Sequence, residues 1–239
     1  MAENPFSHPS TLPYQAPPFD RVSNADYRPG FAEGMRQQRE EVRQIVDNPA
    51  PPDFENTLVA LERSGLMVNR VSSVFFNLNA SNTDAEMEAI ESEVAPKLQA
   101  HEDAIYLDPA LFARVDAVYQ QRARLNLDPE SLQLLNRYYI EFVRAGARLG
   151  AADKARLRDI NGELSSLTTL FKQNVLKATK RVFTTLWRAV RRICRNDPED
   201  PRIAWLRHNL HWSVGRKNSP GTPRVPAIQQ HRRNRHCHI

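Results

Sequence analysis

The chain has 239 residues, 41% of them hydrophobic, and a formal net charge of +5. This length is sufficient for a sizeable core in one or two domains. No apolar run approaches the length of a membrane span, and residues 1–20 are polar and proline-rich, which excludes a signal-peptide pattern there. We therefore expect a cytoplasmic protein. Two cysteines, Cys194 and Cys237, are too few and too late in the chain to imply a disulfide framework.

The net charge averages two unlike segments. Residues 181–239 contain 13 Lys and Arg against 3 Asp and Glu, a net charge of +10, whereas residues 1–180 contain 20 against 25, a net charge of −5. All three tryptophans also follow residue 180. We expect three parts: an extended proline-rich arm in 1–20, a helical region in 21–180 and a basic tail in 181–239.

The first predicted elements follow from prolines and apolar spacing. Five prolines between residues 5 and 18 predict an extended arm, and its interspersed aromatic residues suggest that it lies on a surface. Apolar residues then recur at helical spacing from Tyr27 to Asp47, where Asn48-Pro49 ends the helix. The stretch from Pro52 to Gly65 predicts a short helix capped by Asp53, with Gly65 as its stop.

The next predicted helices share one feature, a capping residue directly before an amphipathic segment. Residues 68–78 have helical spacing, and Thr83-Asp-Ala-Glu86 predicts a capping box for a helix that runs to Ile105 and bends at Pro96. Asp108-Pro109 and Asp128-Pro129 each predict a cap followed by proline at the first helical position.

Residues 152–177 then predict a long amphipathic helix whose apolar residues are Leu157, Ile160, Leu164, Leu167 and Phe171. No alternating strand pattern occurs in residues 1–180, so the predicted fold class is an all-α antiparallel helical array. Large apolar groups fall on more than one helix face, which suits burial on two sides: Phe75, Phe76, Leu78, Tyr138, Tyr139 and Phe142.

The pattern of capped amphipathic helices fails after Lys180. Residues 181–193 can form one basic helix, but Asp197-Pro198 and Asp200-Pro201 interrupt it, and the remainder has little to bury. We predict a mostly irregular, disordered tail. Its wealth of Arg, His, Cys, Trp and Pro with a single lysine is typical of a shifted reading frame in a GC-rich gene, and favours a truncated product.

Several strings in residues 4–179 carry a family resemblance. Phe54-Glu-Asn-Thr, Ala60-Leu-Glu-Arg-Ser-Gly65, Asn77-Leu-Asn-Ala-Ser-Asn-Thr83 and Phe171-Lys-Gln-Asn-Val-Leu176 are the most specific. This region resembles the N-terminal part of the thimet-oligopeptidase-like zinc metallopeptidases, most closely their bacterial peptidyl-dipeptidase branch. The resemblance implies a helical, two-lobed fold with a deep channel, one zinc ion and hydrolysis of short peptides with release of C-terminal dipeptides.

The zinc motif of that family is missing from this sequence. His-Glu-x-x-His supplies two imidazole ligands one turn apart and a glutamate base. His101-Glu102 begins this pattern, but Ile105 stands where the second histidine belongs, and His8 is the other histidine before residue 180. We interpret His101 as a helix-face histidine. The tail contains further side chains that can bind metals, at spacings that match no closed zinc site: Cys194, His208, His211, His236, Cys237 and His238.

The sequence therefore yields no catalytic residue and no metal ligand, and leaves the substrate-binding residues unknown. The leading hypothesis is a truncated peptidyl-dipeptidase-like polypeptide that holds no cofactor, is inactive alone and lacks its partner, the zinc-bearing C-terminal lobe. The alternative is a non-catalytic binding module in which the acidic helical region docks a partner and the basic tail binds polyanions, although nucleic acid is the less favoured partner.

Overall fold

Residues 4–196 are described by the structure, a computed structural model, with side chains described to residue 188. The chain divides into two units, Met1–Leu176 and Lys177–Ile239. Within the described residues the secondary structure is helical, with no β-strand, so the predicted all-α class is confirmed. None of the described helices is long and apolar enough to cross a membrane.

The order of the helices is α1 (Asn24–Val46), a π-helical segment (Phe54–Val59) that leads into α2 (Ala60–Glu62), α3 (Leu66–Asn82), α4 (Ala85–Tyr106), α5 (Pro109–Gln120), α6 (Pro129–Ala145) and α7 (Ala151–Asn196). Helices α4, α5 and α6 each begin at an aspartate whose side chain accepts hydrogen bonds from free backbone amides. Asp108 Oδ1 accepts hydrogen bonds from the amides of Ala110 and Leu111 at 2.7 and 3.0 Å, and Asp128 Oδ1 does the same for Glu130 and Ser131. The two predicted Asp-Pro starts are confirmed.

Two predicted local features differ in detail. The cap of α4 is Asp84, whose Oδ1 accepts from the amides of Glu86 and Met87 at 2.9 Å, while the Thr83 hydroxyl bonds to Asn79 instead. The predicted capping box at Thr83 is therefore wrong by one residue. The helix after Asp53 has π-helical geometry over Phe54–Val59, but its predicted cap and its stop at Gly65 (φ 71°) are confirmed.

The first core cluster joins α1, α3 and α4. Its aromatic centre is Tyr27, Phe31 and Phe75, with ring centroids 4.9 and 5.5 Å from Phe75. Gly34 allows α1 and α3 to approach closely, because a Cβ at this position would lie 2.7 Å from the backbone nitrogen of Val68. From the arm, Phe6 is buried in this cluster and stacks on Tyr27.

A second core cluster joins α5 and α6 to the ends of α1 and α4. Leu58, Leu111, Val115, Leu135 and Phe142 are almost completely buried there. The linker between α1 and α2 is held by Arg114, whose guanidinium donates to the carbonyl of Asn48 and to the side chain of Asn56. The two clusters together form the frame on which the candidate site lies.

The predictions about exposed surfaces and about the last helix have mixed outcomes. Phe75 and Phe142, two of the residues expected to be buried on two sides, are fully buried within the first unit. Of the arm, Phe6 packs as expected, but Tyr14 and Phe19 are exposed. The last helix continues as far as Asn196, beyond its predicted end at Lys177. Of the predicted basic tail of 181–239, residues 181–196 continue α7 as a helix, and the rest lies outside the described residues.

Candidate functional site: the cavity beside His101

His101 lies on α4, and the structure places it inside the helical frame. The residue is 4% exposed, and its Nε2 is 2.7 Å from Oε1 of Gln38 on α1. Because Oε1 can only accept, Nε2 carries the proton and Nδ1 is left as an acceptor. Nδ1 is buried and has no hydrogen-bond partner. Burial, with a smaller contribution from the nearby Arg39 cation, lowers the pKa of His101 to about 4.

This environment does not suit a zinc ion. Among the described side chains, no group of three or more His, Cys, Asp or Glu is arranged to hold a metal. Ile105, one turn after His101, is a buried core residue, and His8 is an exposed residue of the arm. The donor set expected for zinc is therefore not brought together in this part of the chain. Cys194 belongs to α7 but its side chain is not described, and the five later histidines and Cys237 lie outside the described residues.

A cavity of about 450 Å³ lies beside His101. Helices α1, α3, α4 and α6 and the α2 turn contribute to its walls. Its apolar lining consists of Leu61, Val68, Phe76, Leu98 and Ile105, and its polar lining of Gln38, Glu62, Ser64, Asn69, Ser72, His101, Glu102, Tyr106 and Tyr138. Among the described residues no Lys or Arg side chain lines it. Its charged side chains are therefore the two carboxylates of Glu62 and Glu102, beside amides, hydroxyls and phenols that can both donate and accept hydrogen bonds.

The carboxylates and phenols of the cavity perturb one another. The Tyr138 hydroxyl donates to the Glu62 carboxylate, and burial together with this bond raises the pKa of Tyr138. Burial, and then the neighbouring Asp103 carboxylate, raise the pKa of Glu102. Both groups therefore stay protonated over a wider pH range than in water.

The cavity does not contain an activated nucleophile among its described residues. His101 Nε2 is bound to Gln38, and the Ser64 hydroxyl donates to the carbonyl of Leu61 at 2.7 Å. A hydrolytic serine needs its hydroxyl bonded to a histidine base instead. No sequence pattern identified this cavity, because its polar residues come from five segments far apart in the chain. From the sequence, His101 was interpreted as a helix-face histidine and not as a zinc ligand; the structure places it on α4, buried against α1.

Comparisons with known proteins relate most of the chain to peptidases. It is 50% identical over 180 residues to the dipeptidyl carboxypeptidase of Salmonella typhimurium (strain LT2), a match that covers 75% of this chain and 26% of that protein. The dipeptidyl carboxypeptidase of Escherichia coli K12 is 48% identical over 177 residues, covering 74% and 26%. These residues are homologous to dipeptidyl carboxypeptidases. The resemblance inferred from the sequence is thereby confirmed.

A weaker similarity extends to the oligopeptidases. Oligopeptidase A of Escherichia coli K12 is 21% identical over 174 residues, again covering 73% of this chain and 26% of the relative. No family model matches the chain. The chain spans about a quarter of the length of these relatives, 26% in each of the three. Most of each relative therefore has no counterpart in this sequence.

Proposed function

We propose that residues 4–179 form the helical, non-catalytic part of a peptidyl-dipeptidase-type zinc metallopeptidase. In this proposal the zinc and the hydrolytic residues belong to the part of the relatives that has no counterpart here, and the helical region helps to enclose the channel that admits short peptides. The observation that carries the proposal is 50% identity over 180 residues to a dipeptidyl carboxypeptidase. The lack of a metal-ligand group among the described side chains supports it.

In this proposal the chain does not hydrolyse peptides by itself. Without a pair of histidines at helical spacing and a glutamate base, no water molecule is activated for attack on the scissile carbonyl. We also propose a cytoplasmic location, in keeping with an Arabidopsis thaliana relative named probable cytosolic oligopeptidase A, 25% identical over 178 residues. The substrates of the assembled enzyme are short peptides, from which C-terminal dipeptides are released.

A chimera tests this proposal directly. Residues 4–179 of this chain replace the matched residues of the Salmonella typhimurium relative, and dipeptide release from a short peptide is measured with added zinc. The controls are the unmodified relative, the relative with the matched residues deleted, and this chain alone. We expect the chimera to release dipeptides and a chelator to stop this release. The deletion variant and this chain alone should release none.

Two results would contradict the proposal. One is chelator-sensitive dipeptide release by this chain above a mock purification, which would place catalysis within it. The other is a chimera that has the helical circular dichroism and cooperative melt of the relative but releases no dipeptide. The second result would favour a binding module over a part of a peptidase.

A further inference from the structure

The first half of α7 has its polar side turned towards the rest of the first unit. Asn161 Nδ2 donates to Asp103 of α4 at 2.8 Å, and Gln173 Nε2 donates to the carbonyl of Glu88 at 2.8 Å and to Ser92 Oγ at 3.0 Å. Lys154 is buried and donates to the carbonyl of Leu107. Polar side chains therefore attach α7 to α4, which is the reverse of the usual arrangement for an amphipathic helix.

The apolar side of the same helix faces solvent. We call Ile160, Leu164, Leu167 and Phe171 the α7 apolar face; they are spaced by four, three and four residues and are 49, 59, 54 and 69% exposed. At 100° per residue, this face points roughly 140° away from the side that carries Lys154, Asn161, Thr169 and Gln173. A contiguous row of four large apolar residues on one helix face marks an interaction surface.

We propose that the α7 apolar face is the surface on which the remaining part of a dipeptidyl carboxypeptidase packs. This rests on the proposed function and names the partner of the helical region. Phe171 begins the string Phe171-Lys-Gln-Asn-Val-Leu176, which is part of the family resemblance, so the face belongs to the region that this chain shares with its relatives. Those relatives have about three quarters of their length outside the match, since 26% is covered. We therefore expect the residues that cover this face to belong to the unmatched part of a dipeptidyl carboxypeptidase and not to a second copy of this chain.

Thiol labelling at single positions tests this proposal without relying on activity. Leu167→Cys is introduced into this chain and into the chimera, and the labelling rate is read on the peptide that contains it by mass spectrometry. Ser166→Cys is the matched control, because Ser166 is an exposed neighbour on a different side of the helix, with its hydroxyl bonded to its own helix at Gly162. Peptide mapping separates these sites from Cys194 and Cys237.

We expect Leu167→Cys to react about tenfold or more slowly in the chimera than in this chain, because labelling of a covered thiol requires local opening. Ser166→Cys should react at similar rates in both proteins. The same cysteine substitutions at the aligned positions of the Salmonella typhimurium relative give the labelling rates in a protein that is not a chimera. Equal rates for Leu167→Cys in all three proteins would overturn the proposal.

Two further outcomes separate the face from the function. Protection of Leu167→Cys in a chimera that releases no dipeptide supports the docking surface while the proposed function fails. Protection that appears in this chain alone and rises with its concentration, with no protection in the chimera or in the relative, assigns the face to a second copy and overturns the proposal. The proposed function and the proposed docking surface can therefore be refuted independently.

Discussion

Replacing His101 with glutamine should remove a specific acid sensitivity of this protein. His101 is 4% exposed, and burial, followed by the Arg39 cation, lowers its pKa from 6.5 to about 4. In the unfolded chain the imidazole binds a proton below pH 6.5, whereas in the folded chain it stays neutral down to about pH 4. Acid in this interval therefore favours the unfolded state. The contribution of His101 is complete above about pH 6.5 and is lost as the pH falls towards 4.

The size of the effect follows from the two pKa values. For a shift from 6.5 to about 4, the free energy of unfolding falls by about 2 kcal/mol between pH 7 and pH 5, and by about 3 kcal/mol once the pH is below 4. The interval from 7 to 5 avoids the carboxylates of Glu33 and Glu93. Hydrogen bonds from Arg36 and Arg28, respectively, lower their pKa values to about 2, so their contributions are lost below about pH 4.5.

The assay is urea unfolding of the full chain at pH 7 and pH 5, followed by helical circular dichroism. Glutamine at position 101 stays neutral and can still donate to Oε1 of Gln38, so the variant retains the buried contact. Between pH 7 and pH 5, the free energy of unfolding should fall by about 2 kcal/mol more in the wild-type protein than in His101→Gln. Subtraction removes the contribution of other groups, including Glu102, whose raised pKa acts in the opposite direction.

His8→Gln, at an exposed position of the arm, is measured alongside to show what loss of a histidine outside the core does to the pH dependence. Equal decreases in the free energy of unfolding of the wild-type protein and of His101→Gln between pH 7 and pH 5 would refute the reasoning. The buried imidazole would then make no contribution to the pH dependence of stability.

The other predictions concern the frame around the site, and each is measured by urea unfolding at pH 7. Gly34→Ala should cost about 1–3 kcal/mol, because its Cβ would lie 2.7 Å from the Val68 backbone nitrogen. Gly162→Ala, with nothing within 4 Å of its Cβ, should instead stabilise by up to about 1 kcal/mol, and equal effects at the two glycines would contradict the close approach of α1 and α3. Asp128→Ala should cost about 1 kcal/mol by removing the cap of α6, whereas Asp159→Ala, on the exposed surface of α7, should have little effect.

Local signals in the sequence predicted the helices well, because each depends on neighbouring residues. Asp53, Asp108 and Asp128 cap the elements that their positions indicated. The error at Thr83 has the same local origin, since Asp84 is an equally good cap one residue later and the structure uses it. The family resemblance was also a local signal, carried by short strings, and the comparisons confirmed it.

The candidate site was not predictable in the same way, because its contacts join distant parts of the chain. His101 and Gln38 are separated by 63 residues, and Tyr138 and Glu62 by 76. Nothing in either local sequence indicates the other partner. The sequence did exclude a second zinc ligand at Ile105, which required only the spacing within one helix.

The α7 apolar face shows the limit of periodicity most clearly. The spacing of Ile160, Leu164 and Leu167 predicts an amphipathic helix, but not which of its sides the chain itself covers. Full burial of a large apolar side chain contributes about 1.5–3 kcal/mol, so covering four that are about half exposed adds several kcal/mol. That gain is comparable with the total stability of about 5–15 kcal/mol of a typical domain. The attachment of α7 to α4 by polar side chains gains much less, because those groups exchange hydrogen bonds with water for hydrogen bonds within the protein. The helix is therefore expected to be most stable when a partner covers its apolar face, as the proposed docking surface requires.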